Sequence, residues 1–334
     1  MWSVFALLLL CAPAPHAGEN IAIVEESALI IWDPSTGTEH FIRRATFRGQ
    51  GHDFGFLVPT PTVPALAEAD EAIFDAMQEW ARPKNVYVNS RRIDWTPFLL
   101  MYFARHETAM TTAIAPVQVL ASQKIAGYDA VVLEASDSAE LKKWLADHGY
   151  TTSPDLTAWL DVYVAQHWKI TAFKIDASQP DARTGAVKMS FATPRPFFPY
   201  REPASQRAIS SSVITNRILR IFFLGPERVT GTIGASMPWP GDLRRSGTPP
   251  VQLHDAIAKA ASLTLPSSLH LTAFEDWSSI RPGFDDLYFH RSGDQRPFML
   301  PDNVIEKIDT THLPLDVIAL VVIVAIVIIR RLRR

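Results

Sequence analysis

The feature that most constrains this chain lies at its C-terminus. Residues 317–329, opening with Val317 and closing with Ile329, read VIALVVIVAIVII, thirteen apolar residues without interruption. Arg330, Arg331, Arg333 and Arg334 follow, four arginines in the last five positions. As a helix, the apolar run covers about 20 Å of a roughly 30 Å hydrocarbon layer. Counting from Leu313 to Leu332 reaches about 30 Å, if Arg330 and Arg331 snorkel and Asp316 sits at the opposite interface. On that count residues 313–332 are expected to form one transmembrane anchor, with a basic tail to residue 334 on the cytoplasmic side. A sorting signal that is later removed has the same shape, but LPLD (313–316) is not the familiar sortase box.

The N-terminus carries a second apolar run, VFALLLL (4–10), followed by small and turn-prone residues to position 18. It is too short to cross a membrane and reads as a secretory signal over residues 1–18, cut near Ala17 or Gly18. The leading Met-Trp-Ser has no Lys or Arg, so a buried first strand competes with that reading. Cys11 is the sole cysteine. Leu10 before it is not small, as a lipoprotein signal requires, and removal of the signal leaves no thiol. Together the two ends predict a single-pass bacterial membrane protein with its N-terminal domain extracytoplasmic and its C-terminus cytoplasmic.

Between the ends the chain is globular. It has 334 residues, 47% of them hydrophobic and 20% charged, enough apolar content to bury a core. The 32 basic residues face 35 acidic ones, and without the four tail arginines 28 remain against 35, a balance of −7. Such an acidic body argues against nucleic acid as a partner.

Strand-like runs appear at 21–26, 28–32, 39–47 and 53–58, punctuated by Pro34, Gly37, Gly49 and Gly51. Pro59, Pro61 and Pro64 are expected to end pairing, and the spacing predicts a helix over 65–80. The clearest stretch is 128–176. A strand is followed by a helix opening at Asp137, a second helix capped by Ser153 with Pro154 in its first turn, and an alternating strand, WKITAFKID. Further strands are expected at 187–192, 217–224 and 269–274, a helix at 254–261, and a loop at 244–251. This predicts an α+β fold with a mostly antiparallel or mixed sheet and a few amphipathic helices, plus the C-terminal transmembrane helix. The expected domains are 19–250 as the extracytoplasmic body, and 251–312 as its C-terminal part and linker. The motif F-x-x-P-x-P-x-x-P occurs at 56–64 and again at 191–199, either as equivalent sheet exits or as a coincidence of a proline-rich chain.

No catalytic motif is complete. Asp53-Phe54-Gly55 spells the kinase metal-binding triplet without the rest of the kinase set, and Gly49-x-Gly51 lacks its third glycine. His106-Glu107 begins like a zinc-protease helix, but Met110 stands in place of the second histidine. Ser236 lacks the closing glycine of a nucleophile elbow. The ten histidines contain no HxH or HxxxH pair, so neither a metal site nor a cofactor is expected. Two clusters remain as candidate ligand-binding residues. One is His52 and Asp53, entering a strand. The other is Arg195, Tyr200, Arg201 and Glu202 around a rigid Pro/Phe loop, where aromatic faces stand beside directed polar groups. The competing reading packs that loop on the sheet through Phe197 and Phe198 and pairs Arg201 with Glu202 at the surface.

Seven segments carry a family resemblance: SALIIWD (27–33), HFIRR (40–44), DFGFLVPTP (53–61), AEAD (67–70), GYDAVVLE (127–134), WKITAFK (168–174) and PYREP (199–203). Over roughly residues 20–205 the chain resembles the bacterial DUF2330 family. The resemblance implies an extracytoplasmic, membrane-attached protein and no assigned activity. Family members often carry cysteines near the mature N-terminus, where this chain has none. The expected function is a non-enzymatic binding or envelope-assembly module, with the membrane and a protein or glycan of the cell envelope as partners. The alternative is a hydrolase-like enzyme with a site gathered from separate loops.

Overall fold

The computed structural model describes residues 12–14, 20–50, 54–94, 128–133, 138–147, 153–175, 181–203, 217–278, 280–281, 284–312 and 315–333. They fall into two compact units, one of residues 1–82 and 122–300, the other of 83–121 and 301–334.

The larger unit is organised by a long hairpin. Strands β2 (Asn20–Asp33) and β3 (Thr38–Gln50) pair antiparallel around a turn at 34–37, with one bulge between Ile23 and Glu25. Gly37 sits in that turn at φ +62°, where a Cβ would be strained. On one side of the hairpin, β3 pairs with β9 (Asp181–Arg183) and β10 (Ala186–Ala192), and β10 with β5 (Ala65–Ala69). On the other, β2 runs parallel to β12 (Ile218–Gly225). Beyond it come β16 (His270–Asp276), β15 (Asp242–Gly247) and β18 (Phe298–Met299), all antiparallel. The result is a nine-stranded mixed sheet.

Alternation along the hairpin decides what covers each face. Leu29, Ile31 and Ile42 point to helices α1 (Ala72–Ala81) and α4 (Val251–Ala261), which bury Ile73, Phe74, Met77, Leu253 and Ile257 against them. Ala28, Ile30 and Phe41 point the other way, to two smaller sheets. One contains β1 (Ala12–Ala14), β4 (Phe54–Thr60), β8 (Lys169–Ile175) and β7 (Tyr128–Leu133). The other contains β11 (Phe197–Phe198), β17 (Leu287–Arg291), β13 (Val229–Ile233) and β14 (Met237–Pro238). Leu57, Ile170 and Ala172 bury the outer face of β4 and β8 under α2 (Ser138–Asp147) and α3 (Pro154–Val164). The strand–helix–helix–strand unit read from the sequence is therefore present. The Ser153 hydroxyl accepts the Leu156 N–H at 3.0 Å, and Pro154 opens the helix.

Several expectations change. Residues 65–80 are a strand and then a helix, because β10 offers Ala65–Ala69 a pairing edge that overrides their helical composition. Pro59 lies inside β4, beyond the residues that β1 covers. Residues 242–247, expected to belong mostly to a loop, form β15. The two proline-rich segments leave strands of different sheets, and they meet where the Thr62 hydroxyl bonds both the N–H and the carbonyl of Ala192. Of the expected signal, residues 1–11 and 15–18 lie outside the described residues, while Ala12–Ala14 pair as β1. No support for a signal peptide comes from them.

The smaller unit pairs β6 (Asn85–Asp94) parallel with β19 (Asn303–His312) and ends in α5 (Leu315–Leu332). This helix corrects the expectation of a transmembrane anchor at 313–332. Its 18 residues include Asp316, Arg330 and Arg331, and the apolar run between them reaches only about 20 Å against a roughly 30 Å hydrocarbon layer. No helix among the described residues is long and apolar enough to cross a membrane. The single-pass fold class and the localisation built on it, with an extracytoplasmic N-terminus and a cytoplasmic arginine tail, fall with that anchor.

Candidate functional site

The polar residues singled out in the sequence divide three ways. His52 and Asp53 lie outside the described residues. Arg195 is exposed and lays its guanidinium 3.5 Å from the centre of the Tyr288 ring. Tyr200, Arg201 and Glu202 run into the interior of the larger unit, where they fasten it.

That interior holds an ionic network. Glu26 on β2 accepts from Arg43 on β3 at 3.0 Å, and Arg281 approaches its other oxygen at 3.5 Å. Arg281 also lies 3.7 Å from Glu202, which accepts from Arg217 at 2.6 Å. Glu26, Glu202, Arg217 and Arg281 are each at most 2% exposed. Beside them the Tyr200 hydroxyl donates to Asp276 at 2.6 Å and the Trp239 indole N–H donates to the same oxygen at 3.1 Å. Three arginines thus face three carboxylates. Burial opposes charge on Glu26, but Arg43, Arg281 and Arg217 outweigh it and hold the carboxyl below its usual range. Glu202 pairs with Arg217 and Arg281, so the expected surface pair with Arg201 is replaced by a buried one. Phe197 and Phe198 do pack into the core, as the competing reading of that loop required.

Arg201 instead helps to hold a further buried carboxyl, that of Asp286. Asp286 Oδ1 accepts from the Tyr163 hydroxyl at 2.9 Å and from the backbone N–H groups of Tyr200 and Arg201 at 3.0 Å each. Burial nevertheless pushes its pKa up to about 6, against the pull of the Arg201 N–H and Tyr163. The folded state therefore keeps a proton that the unfolded chain loses near pH 4, and stability falls as pH rises from about 4 to 6. The whole cost, roughly 3 kcal/mol, is present above that window. Asp286→Asn keeps an acceptor and removes the charge, so its stability relative to wild type should rise across pH 4–7. Urea titrations at several pH values check this, and parallel profiles would refute it.

A concave site lies elsewhere, at the end of the large sheet where the β2–β3 turn meets the loop after α4. Ile31, Trp32, Asp33, Pro34, Ser35 and His40 line one side. Residues 263–266, 268 and 269, with Pro226, line the other, around a volume of about 410 Å³. The turn is rigid, because Asp33 accepts from the Ser35 N–H, the Ser35 hydroxyl and the Thr36 hydroxyl at 2.6–2.9 Å. Those bonds hold its carboxyl below the usual range. His40 Nδ1 lies 2.8 Å from Ser190 Oγ. Burial, then the nearby Lys188 ammonium, lower the imidazole pKa. Lys188 itself is buried and donates to the Ala261 carbonyl at the C-terminus of α4.

A serine beside a histidine invites a hydrolase reading, and the geometry opposes it. Ser190 does not line the cleft. The oxygens of Asp33 are taken by Ser35 and Thr36 rather than by the imidazole. Lys188 disfavours the imidazolium that a general base must become. Among the described residues no group of three metal-ligating side chains occurs.

Sequence reasoning passed over this cleft. The available signals were the Asp-Pro-Ser-Thr turn after Trp32 and the apolar Leu-Thr-Leu-Pro segment directly behind a helix.

A mixed α+β body with buried ionic fastening and an apolar cleft is the class that the fold defines. The chain belongs to the DUF2330 family, described as an uncharacterized protein conserved in bacteria, whose model matches residues 8–230. That match contains the β2–β3 wall of the cleft and Pro226, while the loop of 263–269 lies past its end. No curated protein matches the chain. Among solved structures, a mutated baculovirus P35 after caspase cleavage aligns with 83% of this chain and 99% of its own, at 7% identity and a TM-score of 0.31. A likeness that low carries no argument about fold or function.

Proposed function

We propose that this protein is a non-catalytic binding module and that its ligand occupies the cleft at the end of the large sheet. The carrying observation is the cleft itself. A volume of about 410 Å³ is lined mostly by Trp, Leu, Ile and Pro, with a few fixed polar groups, the usual composition of a small-molecule site. The turn that forms one wall is held by its own hydrogen bonds, so little ordering accompanies binding. The histidine at the cleft lacks the partners that catalysis requires.

A ligand-observed NMR screen of the purified protein against small amphipathic fragments tests the proposal. Thr264 is an exposed lining residue, so Thr264→Trp should plug the cleft without touching the core. Fragments should bind wild type and be lost from the plugged variant. A screen without hits, or hits indifferent to Thr264→Trp, would overturn the proposal.

A further inference from the structure

We infer that the smaller unit carries an interaction surface for a second copy of this chain: the free edge of β6, on which β6 of the second copy pairs antiparallel. Among the described residues β6 pairs only with β19, and the two parallel strands leave both their faces open. Parallel strands are ordinarily covered on both faces, and two strands alone are marginal without a third. Val86, Tyr87 and Val88 on β6, with Val304, Ile305 and Ile308 on β19, are 39–66% exposed. The two outer edges differ. β19 carries Glu306, Lys307 and Asp309, charges of the kind that keep an edge from pairing. From Asn85 to Ser90, β6 carries no charge and no proline, and its ladder with β19 runs without a bulge.

The β6 sequence selects the occupant, because it complements itself. A two-fold axis normal to the sheet at Tyr87 sets Tyr87 opposite Tyr87 of the second copy, Val86 opposite Val88, and Asn85 opposite Asn89. Directly opposed residues share a face. Two valine pairs therefore lie on one face, and the tyrosine pair with two asparagine pairs lies on the other. Lys84 meets Ser90, so no like charges oppose each other. An axis at Val88 would instead set Tyr87 against Asn89 and Val86 against Ser90, mixing apolar with polar side chains. Val304 lies beside Val86 in the β6–β19 ladder, so the apolar row continues across the axis to Val88 of the second copy. The stretch is short, which makes this a small interface of the reversible kind.

Sedimentation of the full chain from about 1 to 200 µM tests the inference, and a reversible monomer–dimer equilibrium is expected. Tyr87→Lys and Tyr87→Glu each set like charges across the axis, so each should weaken dimerisation by about 5-fold or more. Mixed in equal amounts, the two variants should recover it, because opposite charges then face each other. Tyr87 is 66% exposed, so neither change disturbs a core. Cross-linking reads the register. With the sole native cysteine removed by Cys11→Ser, Tyr87→Cys should give an intermolecular disulfide under mild oxidation. Val304→Cys, one strand further from the axis, should not. A monomer at every concentration, oligomers that both Tyr87 variants leave intact, or equal cross-linking at the two positions would overturn the inference.

Discussion

Glu202→Ala should destabilise the larger unit by about 3–5 kcal/mol, the usual cost of removing one partner from a buried ion pair. The side chain is almost wholly enclosed and is the acceptor for Arg217 at 2.6 Å, with Arg281 at 3.7 Å. Its loss leaves Arg217, itself 1% exposed, as a buried charge whose remaining carboxylate influence comes from Glu26. The penalty is therefore one of abandoned charge more than of lost attraction. That distinction has its own consequence: Glu202→Leu combined with Arg217→Met, which removes both charges, should cost less than Glu202→Ala alone. Urea unfolding of the three proteins measures it. A loss below about 1 kcal/mol for Glu202→Ala would mean that the network does not fasten the core.

Trp239→Ala should cost about as much, roughly 3–5 kcal/mol, through a different mechanism. The indole packs edge-on against Tyr200, Phe274 and Phe289 with ring centres 5.2–6.4 Å apart. It lies so close over Gly231 and Gly241 that a Cβ on either would come within 2.9 Å of the ring. Gly231 and Gly241 have no side chain to fill the space it leaves, so a cavity is expected. Its N–H also donates to Asp276, which then depends on Tyr200, Ser278 and Arg281. Trp239→Phe fills most of the volume and should lose less, the remainder reflecting that donor. Chemical denaturation with an unchanged m-value checks both variants. Equal losses for Phe and Ala would show that the hydrogen bond, not the packing, carries the effect.

What the sequence revealed follows from the range of the interactions concerned. The β2–β3 hairpin and the unit of β7, α2, α3 and β8 were legible because their periodicity, caps and turns lie within a few residues of each other. Ala65–Ala69 was not. Ala, Leu and Glu favour helix locally, and the edge of β10 that overrides them is more than a hundred residues away. Charged residues mislead in the same way. Glu26, Arg43, Glu202, Arg217 and Arg281 look like surface positions one at a time, and only the assembled sheets bring them together. Tyr200, Arg201 and Glu202 were singled out for a ligand, yet they stabilise the interior. Asp33 and His40, which do line a cleft, gain their meaning from a loop at 263–269. At the C-terminus the apolar run was plain, but reaching membrane length required three charged residues to be counted as part of the span.

The central claim is that a ligand sits between the β2–β3 turn and the loop after α4 without being transformed. Amide chemical-shift mapping with a bound fragment, followed in the same sample over a day, tests both halves at once. The predicted result is a set of shifts confined to residues 31–33, 35–40, 263–265 and 267–269, with the fragment spectrum unchanged. Shifts centred on other residues, or conversion of the fragment to a product that Ser190→Ala abolishes, would contradict it.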